Sequence, residues 1–207
     1  MTPTGAAPVP GSHPDRLRWN ARYTGGFVPS FAVPALAVKA LATDPPGGPV
    51  ADLACGASGT ALLAAAGGRR VAAVDVSEVA LGMLRDEARR RGLGHLITFV
   101  HADLAAWRPE PRCYALVLCT GFWSAPVFAA AASAVAPGGL LGWEAFTAEA
   151  RRSRPSLPPQ WCLAPGEPAS LLPAGFTVID QADVPRRARR RLLARRDTIS
   201  PSARDAG

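Results

Sequence analysis

The stretch VADLACGASGT, residues 50 to 60, decides the fold of this chain. A short aliphatic run carries an acid, Asp52, then passes through Ala54-Cys55-Gly56-Ala57-Ser58-Gly59 into an alanine- and leucine-rich segment, Thr60 to Ala66. That order reads as a buried strand, a tight loop and the start of a helix. Glycines in such a loop let backbone amides approach a ligand closely, and the helix start adds the positive end of its dipole. Asp52 is expected at the carboxyl edge of the sheet, where ligands bind in doubly wound folds.

Outward from this stretch the alternation repeats: Val71 to Asp75, then Ser77 to Arg91; Ile97 to His101; Leu116 to Thr120, then Pro126 to Ala136; Leu140 to Phe146. Such repetition predicts a parallel sheet covered by helices on both faces. In the clearest helix, Ser77 caps the start and Gly92 stops it, and Val79, Ala80, Met83, Leu84 and Ala88 form the apolar stripe. Asp86 with Arg90 and Glu87 with Arg91 are expected as ion pairs on its wet side. After Phe146 the period breaks. Residues 147 to 175 carry six prolines and two glycines and predict an irregular excursion, after which Phe176 to Gln181 and Arg190 to Arg195 predict a final strand pair.

With 207 residues, 48% hydrophobic and 19% charged, the chain suits one domain over residues 15–196, with mobile ends at 1–14 and 197–207. No apolar run reaches the roughly 18 to 20 residues of a membrane helix, and the first dozen residues lack a signal-peptide pattern, so no membrane association is expected. Cys55, Cys113, Cys119 and Cys162 form no CxxC and no Cys/His cluster, which predicts reduced thiols, a cytoplasmic location and no metal. The net charge of +7 resides in residues 186 to 196, with seven arginines and no acid; elsewhere 16 basic residues face 16 acidic ones. This run reads as an antiparallel edge strand with solvated charges, and nucleic acid is not the expected partner.

Two further acids occupy corresponding sheet edges. Asp75 ends the second strand, 23 residues beyond Asp52, where a nucleoside-binding fold places a carboxylate against both ribose hydroxyls. Asp103 follows the third strand, where a carboxylate can accept from an exocyclic adenine amine. Each alone also reads as a helix cap. A dinucleotide fold is the rival for the same loop, but Ala54 stands where the GxGxxG fingerprint needs its first glycine.

The arrangement resembles the class I S-adenosylmethionine-dependent methyltransferases, over roughly residues 15 to 196. The matching residues are DLACGASG at 52 to 59, VDVS at 74 to 77, HADL at 101 to 104, YALVLCTG at 114 to 121 and APGGLL at 136 to 141. The resemblance implies a Rossmann-like doubly wound α/β sheet of about seven strands, mostly parallel with an antiparallel C-terminal strand. It implies S-adenosylmethionine as cofactor and S-adenosylhomocysteine as product. Asp52, Ala54, Gly56 and Gly59 then face the methionine portion, Asp75 and Val76 the ribose, and Ala102, Asp103 and Leu104 the adenine, with Thr120 at the end of the fourth strand. More narrowly, RWNARY at 18 to 23, WEAFT at 143 to 147, LAPGE at 163 to 167 and LLARR at 192 to 196 resemble the tellurite-resistance-type bacterial branch. Ala54 and Ser58 stand where that family usually or often has glycine, and Ala115 where an acid is common.

Methyl transfer from a sulfonium needs alignment and a dry site more than a base. The sequence contains no Ser/His/Asp set and no paired carboxylates, and assigns no catalytic residue. Trp19 and Tyr23 lie at i,i+4 on a short helix and with Arg22 form either a lid, within lid helices over 15–45, or a packing helix. Phe122, Trp123 and Trp161 are candidate walls for a small-molecule acceptor, in a substrate-side role for the 147–175 excursion, or ordinary core material. Such walls suit an apolar, soft or cationic nucleophile. Glu144 binds a substrate amine or caps the sheet edge, and His101 lies at the adenine rim. An RNA or protein methyltransferase using the arginine run, and a non-catalytic relative, are the alternatives.

Overall fold

The computed structural model describes residues 9–198, so the expected mobile ends lie largely outside the described residues. Within them, His13 and Pro14 already open the first helix. Eight strands form one sheet: β1 (Val50–Leu53), β2 (Val71–Asp75), β3 (Ile97–His101), β4 (Tyr114–Thr120), β5 (Val135–Thr147), β6 (Cys162–Leu163), β7 (Phe176–Val184) and β8 (Arg189–Arg196). Their order is β3-β2-β1-β4-β5-β8-β7, with two-residue β6 against the end of β5. Pairing is parallel except along β8, which runs antiparallel to β5 and β7. The mostly parallel sheet with one antiparallel C-terminal strand is therefore as expected. The helices are α1 (Pro14–Thr24), α2 (Ala35–Ala42), α3 (Thr60–Ala66), α4 (Glu78–Arg90), α5 (Ala125–Ala134) and α6 (Ala150–Ser153).

β1, β2 and nearly all of β4 are buried on both faces, and their alternation sorts two cores. Ala51, Leu53, Val74, Val117, Cys119, Leu141 and Trp143 pack with α5 residues Phe128 and Ala131. Val50, Val71, Ala73, Leu116 and Leu118 pack with Leu36 of α2, Leu62 of α3 and Leu84 of α4. Trp143 is fully buried, edge-on to Phe128 at 5.3 Å and to Trp123 at 6.2 Å, and its indole N–H donates to the Phe122 carbonyl at 3.0 Å. That bond satisfies the one polar group a buried indole carries.

Several sequence readings change. Ser77 caps α4 as expected, accepting from the Ala80 N–H, but Glu87 is buried and takes both Arg90 and Arg91, while Asp86 faces Arg89. Leu81 joins the buried stripe, and Val79 and Met83 are half-buried. α5 ends at Ala134 and β5 begins at once; its pairing with β4 jumps from Tyr114–Val135 to Leu116–Leu140, leaving Ala136 to Gly139 as a bulge. The arginine run is not an edge: β8 lies between β5 and β7, and β7 is outermost. Three of its guanidiniums are committed there, Arg190 to Asp183, Arg195 to the Gly138 and Thr43 carbonyls, and Arg196 to the Ala132 and Val135 carbonyls.

Candidate cofactor and acceptor site

β1 and β4 are neighbours at the point where strand order reverses, and their carboxyl ends open onto a cavity of about 570 Å³. The loop after β1 forms its floor through Ala54 to Ser58. Ala54 and Gly56 are both left-handed, at φ of 47° and 53°, which turns the chain sharply. A Cβ at Gly56 would lie 2.5 Å from the Tyr23 hydroxyl, so glycine is required there by close approach as well as by φ.

Asp75, at the end of β2, is buried and accepts N–H bonds from Gly56 and Ser77, both 2.8 Å. Burial pushes its carboxyl up from the ordinary range, and these N–H groups offset part of that. Its neighbour Val76 also lines the cavity, as do Asp103, Leu104 and Thr120. Asp103 carries the His13 imidazole at 3.4 Å, and α1 runs on from there across the opening. Arg16 pairs with Glu78, the Ser77 hydroxyl donates to Asn20 at 2.7 Å, and Tyr23 covers the loop. Burial, and secondly the nearby Asp75 carboxylate, push the Tyr23 phenol up to about 12. It stays protonated and donates or accepts as a neutral group.

Three expected cofactor residues stand outside the cavity. Asp52 alternates onto the face covered by α3; it is fully buried, one carboxylate oxygen has no partner, and burial pushes its pKa up to about 8 against the pull of the Ala61 N–H. Gly59 is glycine because Phe31 to Val33 press against it, and its N–H donates to the Ala32 carbonyl at 3.1 Å rather than to a ligand. Ala102 is buried behind Asp103 and ties back to the Asp75 carbonyl. His101 likewise faces the Val76 carbonyl at 3.0 Å and does not line the cavity.

On the other side, Trp19, Tyr23, Phe122, Trp123 and Trp161 all line the cavity. Glu144 sits behind it, paired with Arg189 at 3.2 Å, so it holds an arginine rather than a substrate amine. Phe146, Arg154, Leu157 and Arg189 join the wall and were missed, because an irregular segment and a terminal strand carry no sequence signal for the face they present. Cys55 and Cys119 are buried with thiols pushed well above their ordinary value by desolvation, so neither is an activated nucleophile.

The Asp75 and Asp103 carboxyls and a loop with no room for a Cβ at Gly56 line the cavity together. This donor and acceptor set fits a nucleoside joined to an amino acid.

Residues 50–139 match the methyltransferase domain family. No curated protein matches the chain. Among solved structures, the protein described for conversion of a disulfide bond into a thioacetal group during echinomycin biosynthesis is 21% identical, with TM-score 0.65 over 90% of this chain and 93% of that one. Magnesium protoporphyrin IX methyltransferase from Synechocystis PCC 6803, with bound S-adenosylhomocysteine, is 19% identical, with TM-score 0.61 over 93% and 90%. The CcbJ methyltransferase from Streptomyces caelestis is 17% identical, with TM-score 0.62 over 78% and 94%. The fold is that of these structures, and residues 50–139 match the model of the methyltransferase domain family.

Proposed function

We propose that this chain is a cytoplasmic enzyme that methylates a small-molecule acceptor, within a domain spanning residues 15–196. The observation that carries the reading is one continuous cavity: Asp103, Asp75 and the Ala54 to Ser58 loop lie along one side, and Phe122, Trp123 and Trp161 continue it past the end of β4. Structural neighbours named for magnesium protoporphyrin IX and for echinomycin biosynthesis support a small-molecule acceptor. The narrower likeness to the tellurite-resistance-type branch rests on RWNARY in α1, WEAFT in β5 and LLARR in β8.

When bound, the cofactor supplies a methyl group already activated on a sulfonium. Asp103 would accept from the adenine amine and Asp75 from the ribose hydroxyls, fixing the long axis of the ligand. The Ala54 to Ser58 loop would hold the amino-acid end, with Thr120 and Gly121 beside the point of transfer. Phe122 and Trp123 would exclude water there, which keeps the nucleophile poorly solvated and aligned. Residues 15–45 serve as the lid and residues 147–175 as the acceptor-side wall. The buried thiols take no part in this chemistry.

The test is methyl transfer from methyl-tritiated S-adenosylmethionine to separated small-molecule, RNA and protein fractions of a cell extract. Label is expected in the small-molecule fraction. Label confined to RNA or protein overturns the assignment.

A further inference from the structure

We propose that the acceptor is an anion, a flat apolar molecule carrying a carboxylate that Arg154 receives; this rests on the methyltransferase reading above. Four arginines line the cavity among seven aromatic side chains; Arg22 lies against Phe27, which packs on the Tyr23 that covers the β1 loop. Arg154 and Arg189 place their guanidiniums 4.6 Å and 4.4 Å from the centre of the same ring, Phe146. Arg18 and Arg22 lie 5.1 Å and 5.7 Å from Trp19, and each reaches a second ring, Trp161 at 4.4 Å and Phe27 at 5.8 Å.

In each pair one charge is neutralised and one is not. Arg189 meets Glu144 at 3.2 Å and Arg18 meets Asp15 at 3.0 Å. Among the described residues, Arg22 and Arg154 have no carboxylate within ion-pair distance and donate no side-chain hydrogen bond, although both line the cavity. Two like charges sharing one ring repel, and an anion between them relieves that repulsion. The remaining acids of the cavity, Asp75 and Asp103, stand on the cofactor side and Asp15 is taken by Arg18.

The aromatic faces therefore do not favour a cationic acceptor. The faces of Trp19, Phe27, Phe146 and Trp161 already carry guanidiniums, which present N–H donors instead. A carboxylate accepts two of these in parallel, while the rings stack a planar body. The carboxylate is a handle and not the reacting group: it sets which atom of the acceptor reaches the end of β4.

The probes are naphthoate, the isosteric neutral naphthamide and the cation naphthylmethylammonium, titrated by calorimetry into protein saturated with S-adenosylhomocysteine. Naphthoate is expected to bind at least about tenfold more tightly than naphthamide, as charge-assisted hydrogen bonds allow, and the cation most weakly. The preference is expected to shrink with added salt and to fall toward unity in Arg154→Gln. The wild-type comparison stands by itself if that variant folds poorly. S-Adenosylhomocysteine is titrated first. No binding of it overturns the methyltransferase reading and this proposal together, whereas binding followed by equal affinity for acid and amide, or preference for the cation, overturns the anionic acceptor alone.

Discussion

At Ala54 a residue with a Cβ holds a left-handed conformation, φ 47°, where a non-glycine side chain costs roughly 1 to 2 kcal/mol. Ala54→Gly removes that strain and returns part of it as unfolded-state entropy, so a net stabilisation of up to about 1 kcal/mol is expected in urea denaturation. A destabilised variant would contradict it. Asp52 gives a second residue-scale expectation. Its carboxyl titrates at about 8 in the folded chain against an ordinary 3.8, because burial disfavours the charge. The sign follows: this group's contribution is fully present below the ordinary value and is lost as pH rises toward about 8. Denaturation at about pH 5 and about pH 8 should therefore show the native chain losing more stability than Asp52→Asn over that interval. Equal losses would contradict the buried, ligand-free carboxyl. The sequence placed Asp52 in a strand next to the loop but did not show which face it takes; the alternation that buries Val50 and Asp52 together is a property of the assembled sheet. Asp75 and Asp103 could be placed at the sheet edge because a strand's last residue, and one two positions past its end, reach that edge whichever face the strand takes.

Among the elements, α1 is held unusually. No residue of it is buried, and it stays on the domain through Arg16 with Glu78, His13 with Asp103, and the Ser77 to Asn20 bond. The Arg16 guanidinium holds the Glu78 carboxyl down to about 2 from 4.5. A depressed carboxyl contributes above its ordinary value, and that contribution is lost as pH falls from 4.5 toward about 2. Because the pair is partly exposed, its worth is modest. Glu78→Gln should raise amide hydrogen exchange of α1 a few-fold at neutral pH and leave the buried amides of α4 unchanged; unchanged exchange in α1 would show that the helix is held otherwise. The sequence offered lid and packing helix as equal readings of RWNARY, since its partners lie in α4 and beyond β3. β8 was misread as an edge for a related reason. Its arginines look solvated in a linear sequence, yet strand order inserts β8 beside β5 and turns four of them onto carboxylates and carbonyls.

For the whole molecule, local patterns were enough to specify the parallel layers and the edge at which they open, because each βα unit carries its own signature. The acceptor half of the cavity was not legible to the same degree. It is assembled from α1, the loop after β4, the end of β5, the segment after α6 and the start of β8, five places far apart in sequence whose meeting depends on topology. The central claim is that Asp75 and Asp103 face a bound nucleoside along this edge. Calorimetric titration with S-adenosylhomocysteine tests it most directly, on the native chain and on Asp75→Ala and Asp103→Asn with circular dichroism confirming their fold. One equivalent is expected to bind in the micromolar range, with affinity falling by at least about tenfold in each variant as charged hydrogen bonds are lost. Undiminished binding in both folded variants, or none to the native chain, would contradict the account.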